Sequence, residues 1–260
     1  MQPFVQRWGE LRAALVAAER WLLPGECLLC HEPVGPDPRD PLVCAACRSR
    51  WAALPQPQCP RCGQPLTPDI ACRICSAWPA ELQGVRTAVW LDEPARRAVH
   101  LLKYAGWWRV GEAMAATMQR CLESPARGTL IPIPLGRTRL RHRGYNQSAV
   151  LAEALGRRLG LTVAGAVLER RRETATQTAL TPEARRANLA GAFVASRKPP
   201  EHAVLVDDVF TTGATLVEAA TALLAAGTAT VSGITFARAA RPLAGAEAAS
   251  DEGQHSWSRA

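Results

Sequence analysis

Residues 204–216 have the sequence VLVDDVFTTGATL, in which an apolar stretch precedes two acids, a turn of small residues and the start of a helix. The apolar stretch predicts a short strand over residues 203–206 that is buried on both faces of a sheet. Asp207 and Asp208 then lie at its carboxyl end, where open α/β sheets bind their ligands. The turn offers hydroxyl and backbone N–H groups that can hold a phosphate dianion at a helix N-terminus. Because carboxylates accept hydrogen bonds from a sugar diol, the segment predicts a site for a ribose phosphate.

This segment resembles the binding motif for phosphoribosyl pyrophosphate (PRPP) in type I phosphoribosyltransferases. Two other phosphate-binding motifs do not fit: Ala214 stands where a Walker loop has its lysine, and no G-x-G-x-x-G segment opens a helix after a strand. The simpler alternative is that the acids only cap the strand end and the threonines only start the helix. The turn residues predicted to surround a phosphate are Thr211, Thr212, Gly213, Ala214 and Thr215.

The composition is that of a globular protein without a membrane-spanning stretch. At 260 residues the chain is long enough for one hydrophobic core and a smaller module. Residues 4–23 place apolar side chains on one helical face, but charged residues interrupt any signal-peptide core. We therefore expect a docking helix within residues 1–24 of a cytoplasmic protein, with attachment to a membrane surface as the alternative. Residues 241–260 are small and polar and predict a disordered tail.

Nine cysteines form four C-x-x-C pairs and one single residue, Cys121. Each C-x-x-C turn places two thiolates side by side, and two turns complete a tetrahedral Zn²⁺ site, so two structural zinc ions are predicted. Pairing in sequence order gives two short ribbons, although the spacing also allows interleaved pairing. An iron–sulfur cluster would need another spacing, and disulfides would need an oxidising compartment. Cys121 is interpreted as a small core residue. The predicted zinc ligands are Cys27, Cys30, Cys44, Cys47, Cys59, Cys62, Cys72 and Cys75.

Positive charge is concentrated in the middle of the chain. The formal net charge is +8, and two Zn²⁺ ions on eight thiolates would lower it by about four. Residues 81–200 contain 20 Lys or Arg and 9 Asp or Glu, whereas residues 201–260 contain 3 and 7. This distribution favours a pyrophosphate or nucleic-acid ligand near the acidic strand end, although ordinary solvated arginines explain part of it.

Two basic segments lie between the predicted core elements. The first, IPIPLGRTRLRHRGYNQ at residues 131–147, predicts an arginine-rich loop suited to diffuse negative charge. The second, residues 170–188, is polar and predicts a mobile loop that closes over a ligand. The alternative for either segment is ordinary solvated surface. The candidate ligand-binding side chains on these segments are Arg137, Arg139, Arg141, Arg143, Arg172, Thr174, Gln177 and Arg185.

Apolar periodicity predicts alternating strands and helices after residue 81. One helix begins at Asn146 and ends at Gly160, because apolar residues recur at helical spacing between them. The alternation predicts an α/β fold with a mostly parallel sheet and helices on both faces. The predicted strands cover residues 85–91, 129–133, 161–163, 203–206 and 230–237, and the predicted helices cover residues 94–104, 111–122, 146–160 and 216–226.

Nearly the whole chain resembles the ComF/GntX family, also called competence protein F. The ordered motifs that carry the resemblance are the four C-x-x-C pairs, LLKYAG at residues 101–106, IPIPL followed by RGYNQ, T-x-x-Q at 174–177, R-x-x-N at 185–188 and GAF at 191–193. The resemblance implies a double zinc ribbon over residues 25–80 and a type I phosphoribosyltransferase-like domain over residues 81–240.

The same resemblance implies roles for individual residues. Asp207 and Asp208 are expected at the ribose of PRPP and its Mg²⁺, residues 211–215 at the 5′-phosphate, and residues 170–188 in a flexible loop. The segment expected near the pyrophosphate consists of Pro132, Ile133, Pro134, Leu135 and Gly136.

Three functional hypotheses follow from these observations. The family is associated with natural transformation, which implies a factor in the uptake and processing of single-stranded DNA that also binds PRPP and works with the competence machinery. There Trp107, Trp108 and Tyr145 are candidates for base stacking beside arginines, although tryptophans are more often core residues. The alternative is an active phosphoribosyltransferase that uses Mg²⁺ and a nitrogen acceptor. The third hypothesis is a zinc-organised adaptor with a vestigial pocket.

The sequence leaves the chemistry of a transferase undefined. It identifies neither the acceptor nor the catalytic residues, and it does not fix the oligomeric state. Glutamine-dependent amination is not expected, because the chain begins Met1-Gln2 without an N-terminal cysteine nucleophile.

Overall fold

The computed structural model describes residues 25–34, 42–66, 72, 74–122, 127–172, 191–195 and 198–239. Its central sheet has four strands in the order β1-β6-β5-β2, and every neighbouring pair is parallel. A separate antiparallel pair is formed by β3 and β4. The parallel sheet confirms the predicted α/β class. The strands are β1 (Leu82–Trp90), β2 (Thr129–Pro132), β3 (Leu168–Arg170), β4 (Phe193–Ala195), β5 (His202–Phe210) and β6 (Thr230–Arg238).

Helices connect the strands near the predicted positions. Asp92 caps α2 by accepting a hydrogen bond from the N–H of Ala95 at 3.1 Å. Asn146 caps α5, and Gly160 ends it in the left-handed conformation, as predicted. The helices are α1 (Ala45–Ser49), α2 (Glu93–Tyr104), α3 (Val110–Met118), α4 (Arg137–Arg143), α5 (Gln147–Leu159) and α6 (Ala214–Ala225), with a 3₁₀ turn at Gln119–Cys121.

Each face of the sheet is covered by its own apolar layer. Val204 and Val206 of β5 pack into the layer that contains α2, α3 and α5, whereas Ala203 and Leu205 pack into the layer that contains α6. Residues 203–206 are therefore all apolar, because both faces of the strand are removed from water there. Cys27 and Cys47 belong to the first layer, and Cys59, Cys62 and Cys75 belong to the second. The cysteine-rich segment thus contributes to both layers.

The strand that carries the acids is longer than predicted. Instead of ending at Val206, β5 continues to Phe210, because β6 remains paired with it as far as Arg238. On its other side, the pairing with β2 ends at Val206. Asp207 and Asp208 therefore lie inside a strand, but just past the carboxyl end of the neighbouring strand. The predicted end of the strand at Val206 was therefore wrong, because the pairing with β6 continues past the acids.

The predicted arginine-rich loop is in part a helix. Residues 137–143 form α4, and Gly144 ends it with a φ of +81°. Arginine and leucine favour helices, and the alternation of arginines reflects neither a strand nor a loop. Elsewhere, the predicted strand at residues 161–163 is reduced to one parallel bridge between Val163 and Leu130. The predicted docking helix, the tail after residue 240 and most of the predicted mobile loop lie outside the described residues.

Candidate phosphoribosyl site and metal centres

Eight cysteines form two groups of four in sequence order, as in the first of the two pairings considered. Within each group the sulfur atoms all lie within 4.8 Å of one another. We call Cys27, Cys30, Cys44 and Cys47 the first cluster, and Cys59, Cys62, Cys72 and Cys75 the second cluster. In the second cluster, neighbouring Sγ atoms are 3.4, 3.6 and 3.9 Å apart. A tetrahedron with Zn–S bonds of about 2.3 Å has an edge of about 3.8 Å, so both groups fit a zinc ion.

The thiols within each cluster have different proton affinities. Burial alone would raise the pKa of Cys27, but N–H groups that include those of Cys44 and Leu29 point at its sulfur and lower the pKa to about 7. In the same cluster, burial and the neighbouring thiols raise the pKa of Cys47. Without a cation, four adjacent thiolates would repel one another. The donor set therefore suits a divalent metal that ionises all four sulfurs.

The two acids of β5 are held by side chains from helix α5. Ser148 Oγ donates to Asp207 Oδ1 at 2.8 Å, and Gln147 Nε2 donates to Asp208 Oδ1 at 3.2 Å. The backbone N–H of Asp208 also donates to Asp207 Oδ1, at 2.9 Å. Asp208 is only 3% exposed, whereas Asp207 keeps partial exposure. Asp207 is therefore the carboxylate that remains more accessible to a ligand.

Lys103, at the end of α2, forms an ion pair with Asp208. Although burial lowers the pKa of Lys103, the charge of Asp208 raises it further, so the ammonium stays protonated. Burial and the charge of Asp208 raise the pKa of Asp207 to about 7, despite the opposing effect of Lys103. We call Asp207 and Asp208 the acidic edge. Asp208 is paired with an internal cation, whereas Asp207 titrates near neutral pH.

The turn after β5 depends on a glycine in the left-handed conformation. Gly213 adopts a φ of +80°, which only glycine tolerates easily, and α6 begins at the next residue. The N–H of Ala214 donates to Thr212 Oγ1 at 3.4 Å. We call residues 211–215 the phosphate turn. It joins the strand that carries both acids to a twelve-residue helix, whose N-terminus favours an anion.

The segment predicted near a pyrophosphate lies beside the same edge. Pro132 ends β2, and the N–H of Ile133 donates to the carbonyl of Val206 at 3.0 Å, immediately before the acids. Asn146 Nδ2 donates to the carbonyl of Ile133 at 2.9 Å. Gly136 precedes the first residue of α4. Ile133 therefore lies beside β5 at the residue that directly precedes the two acids.

Comparison with known proteins supports the two metal clusters and relates the chain to a family. A family profile described as a double zinc ribbon domain matches residues 18–76. A DNA utilization protein, YhgH of Escherichia coli O157:H7, is 34% identical over 220 residues, which are 80% of this chain and 95% of that protein. The chain belongs to the ComF/GntX family. Competence protein ComFC of Bacillus subtilis is 27% identical over 82% of this chain and 94% of its own length. Competence protein F of Haemophilus influenzae is 42% identical over 34% of this chain and 41% of its own length.

The match to a double zinc ribbon and the two four-cysteine clusters together support two structural zinc ions in this ComF/GntX protein. All nine cysteines, including Cys121, are free of disulfides. Cys121 is partly buried and packs against the apolar layer of α2, α3 and α5, and burial raises the pKa of its thiol. A raised pKa disfavours the thiolate, which agrees with a packing role.

The RGYNQ motif of the ComF/GntX protein supplies side chains to the hydrogen-bond network around the two acids. Arg143 Nη1 donates to Gln147 Oε1 at 2.5 Å, and Gln147 in turn donates to Asp208. The hydroxyl of Tyr145 donates to the carbonyl of Leu102, next to Lys103. Tyr145 is therefore tied to α2 by its polar end, which does not favour its predicted role in base stacking.

Sequence reasoning missed three side chains that contact the acids: Lys103, Gln147 and Ser148. The first two lie inside the LLKYAG and RGYNQ motifs, so the resemblance was the available signal, but it gave no role to either residue. Among the basic candidates, Arg143 joins the network around the acids. Arg139 and Arg141 lie on α4, and Arg172 is exposed. Thr174, Gln177 and Arg185 lie outside the described residues.

In the parts of the chain that the structure describes, none of the helices has the length and apolarity that a bilayer crossing requires.

Proposed function

We propose that this protein binds PRPP, or a related phosphoribosyl ligand, together with Mg²⁺ at the carboxyl end of β5. One observation carries the proposal: Asp207, Asp208 and the phosphate turn are consecutive parts of one strand–turn–helix unit at that end of the sheet. In the bound state Asp207 and Asp208 would face the ribose hydroxyls and the cation. Residues 211–215 would hold the 5′-phosphate, and residues 132–136 would lie near the pyrophosphate.

A titration calorimetry experiment tests the ligand. PRPP with Mg²⁺ should release or absorb heat on binding the wild-type, zinc-loaded chain, and Asp207→Asn should weaken that binding by at least about tenfold, because an amide replaces the accessible carboxylate. Glu153→Gln changes an exposed acid on α5 and should leave the affinity unchanged. Equal affinity of the wild type and Asp207→Asn would contradict the assignment of the acids.

We further propose that the protein acts in the uptake and processing of single-stranded DNA. Relatives that align along most of their length are named a DNA utilization protein and a competence protein. The structure adds a physical reason: Tyr104, Trp107 and Trp108 are 68%, 46% and 53% exposed, and Tyr104 directly follows Lys103. The guanidinium of Arg143 lies 5.3 Å from the centre of the Tyr104 ring. Exposed rings beside an arginine suit base stacking and phosphate attraction.

Binding of a labelled oligothymidylate, measured at several salt concentrations, tests this part. The affinity should fall steeply as salt rises, because phosphate contacts release counterions. Trp107→Ala combined with Trp108→Ala should weaken binding by about 1–3 kcal/mol per stacked base. Trp51→Phe, at a buried site that packs on Phe236, is the matched control and should bind normally. Undetectable binding of the wild type at low salt would contradict the proposal.

A transferase activity would use the same ligand site and is the second candidate. Its specific support is that Lys103 and Arg143 bring positive charge to the network around the acids, where a departing pyrophosphate would gain electrostatic stabilisation. Pyrophosphate release from PRPP and Mg²⁺ in the presence of bases, ammonia or DNA ends measures it. Release that depends on one acceptor supports the transferase, and ligand binding without release supports a binding role.

The division of the chain into units and its cellular location are also proposals. We propose that residues 25–80 and 81–240 are the zinc-binding and phosphoribosyl-binding units. We also propose a cytoplasmic location, because clusters of free thiols persist in a reducing compartment.

A further inference from the structure

We propose that Trp78 and Arg238 are positioning residues that join the second cluster to the phosphate turn, so that zinc retention at this cluster and phosphate binding at the turn stabilise each other. This inference rests on the proposed phosphoribosyl site for its ligand half. Its structural half, the contact between the second cluster and the turn, does not depend on any ligand.

Trp78 makes the first connection. Its backbone N–H donates to the carbonyl of the zinc-ligating residue Cys75 at 3.2 Å, which holds the residue that carries the indole next to the second cluster. The same side chain, 9% exposed, packs beside Phe210 with ring centres 6.2 Å apart. A Cβ atom placed on Gly213 would lie 2.8 Å from Trp78 Cζ2. The indole therefore presses directly against the backbone of the phosphate turn.

Arg238 makes the second connection from the end of β6. Both of its Nη atoms lie 3.1 Å from the carbonyl oxygen of Cys62, and its Nε donates to Gln64 Oε1 at 3.2 Å. Its guanidinium lies 4.0 Å from the centre of the Phe210 ring. Phe210 is the last residue of β5 and leads into the phosphate turn. Arg238 thus contacts a zinc ligand on one side and the base of the turn on the other.

Charge makes the contact of Arg238 depend on the metal. Arg238 is only 1% exposed, and the bonds named above run to neutral oxygen acceptors. A Zn²⁺ ion with four thiolates carries a net charge of −2, which offsets the buried cation. When the metal leaves, this compensating dianionic group is lost. The contacts of Phe210 with Arg238 and Trp78 should then weaken.

The first cluster provides a control within the same molecule. Cys27 and Cys47 belong to the apolar layer of α2, α3 and α5, whereas Trp78, Phe210 and the second cluster belong to the layer of α6. Loss of zinc from the first cluster should therefore leave the phosphate turn largely in place. Because coupling between two binding events is reciprocal, a ligand at the turn should slow zinc release from the second cluster.

Hydrogen exchange followed by mass spectrometry tests the structural half without any ligand. In the zinc-loaded full chain, Trp78→Ala should speed exchange of the backbone amides of residues 211–215 by about tenfold or more, a size typical of coupling between sites. Trp78→Phe keeps an aromatic ring and should show a smaller effect. Trp51→Phe, at the buried tryptophan that packs on Phe236, should leave the turn unchanged. Normal exchange at the turn in Trp78→Ala would overturn the proposal, provided that two zinc ions remain bound.

Zinc release tests the ligand half. A colorimetric chelator added to the loaded protein should show two phases, and PRPP with Mg²⁺ should slow one of them by about fivefold or more. That phase should be the one lost in Cys72→Ser, in the second cluster, and retained in Cys30→Ser, in the first. If calorimetry shows that PRPP binds but both release rates stay unchanged, the coupling is wrong. If PRPP gives no heat while Trp78→Ala still loosens the turn, the proposed ligand fails and the structural coupling stands.

Discussion

Lys103 and Asp208 form a charged contact largely shielded from water, with side chains 21% and 4% exposed. Such a pair contributes little net stability compared with apolar residues, but removing one partner leaves a buried charge without compensation. The two residues are 105 positions apart in the chain, so their contact also fixes the end of α2 against β5.

Lys103→Met should destabilise the protein by about 3 kcal/mol, because it leaves the carboxylate of Asp208 without a cation in a site that excludes water. Urea unfolding monitored by circular dichroism measures the change. Lys103→Met combined with Asp208→Asn should recover part of the loss, since the remaining amide carries no charge. Lys198→Met, at an exposed lysine, is the control and should have little effect. Additive losses in the double variant would contradict a direct interaction.

Asp207 should make ligand affinity depend on pH. Its pKa in the folded protein is about 7, because of burial and the charge of Asp208, compared with about 3.9 in an unfolded chain. The folded state therefore favours the protonated acid. Its contribution to stability is present below about pH 4 and is lost as the pH rises through about 7. The proposed binding of PRPP and Mg²⁺ would use the ionised carboxylate, so we expect affinity to follow the opposite trend.

Calorimetry from pH 6 to pH 8 checks this expectation. The wild-type affinity for PRPP and Mg²⁺ should rise across the range, beyond the change caused by titration of the ligand itself. Asp207→Asn removes the titrating group and reports that ligand contribution alone. Parallel pH profiles for the two proteins would refute a role for the ionisation of Asp207.

At the scale of single elements, the sequence predicted the strands and helices that alternate in apolar pattern, and it missed features that depend on partners distant in the chain. The extension of β5 through its acids depends on β6, which is paired with it up to Arg238. Neither aspartate favours a strand by itself, so tertiary pairing overrides local preference. In the same way, Lys103 gave no local signal, because its partner on β5 is brought near only by the fold. The cysteine pairs needed no such information, since their spacing already places ligands together.

The phosphate turn gives a prediction at this scale. Gly213→Ala should destabilise the protein by about 2–3 kcal/mol, because alanine resists a φ of +80° and its Cβ would meet Trp78 and Phe210. Gly227 has a φ of +104°, but a Cβ there meets nothing within 4 Å. Gly227→Ala should therefore cost about 1–2 kcal/mol through backbone strain alone. Thermal unfolding of both variants measures the difference, and equal losses would show that the contact with Trp78 is not tight.

For the whole molecule, each of the two cysteine clusters packs into one of the two apolar layers of the sheet. The first cluster lies in the layer where Trp51 meets Phe236 edge-on with ring centres 5.0 Å apart. The second lies in the layer where Trp78 meets Phe210. A short cysteine-rich segment buries little apolar surface by itself, so its folding depends on metal binding. We therefore expect metal binding to stabilise the packing of both apolar layers.

Acidification should remove zinc and expose both aromatic pairs together. The thiolates must be ionised to bind zinc, so proton uptake below about pH 5 competes with the metal. We expect native mass spectrometry to show two zinc ions per chain at pH 7.5, and zinc loss to accompany a red shift of tryptophan fluorescence. Cys30→Ser and Cys72→Ser, one from each cluster, should each retain one zinc ion at pH 7.5. Because the Trp51 pair and the Trp78 pair lie in separate layers, each variant should expose one aromatic pair and leave the other buried. Complete zinc loss in either variant would instead show that the two clusters fold as one unit.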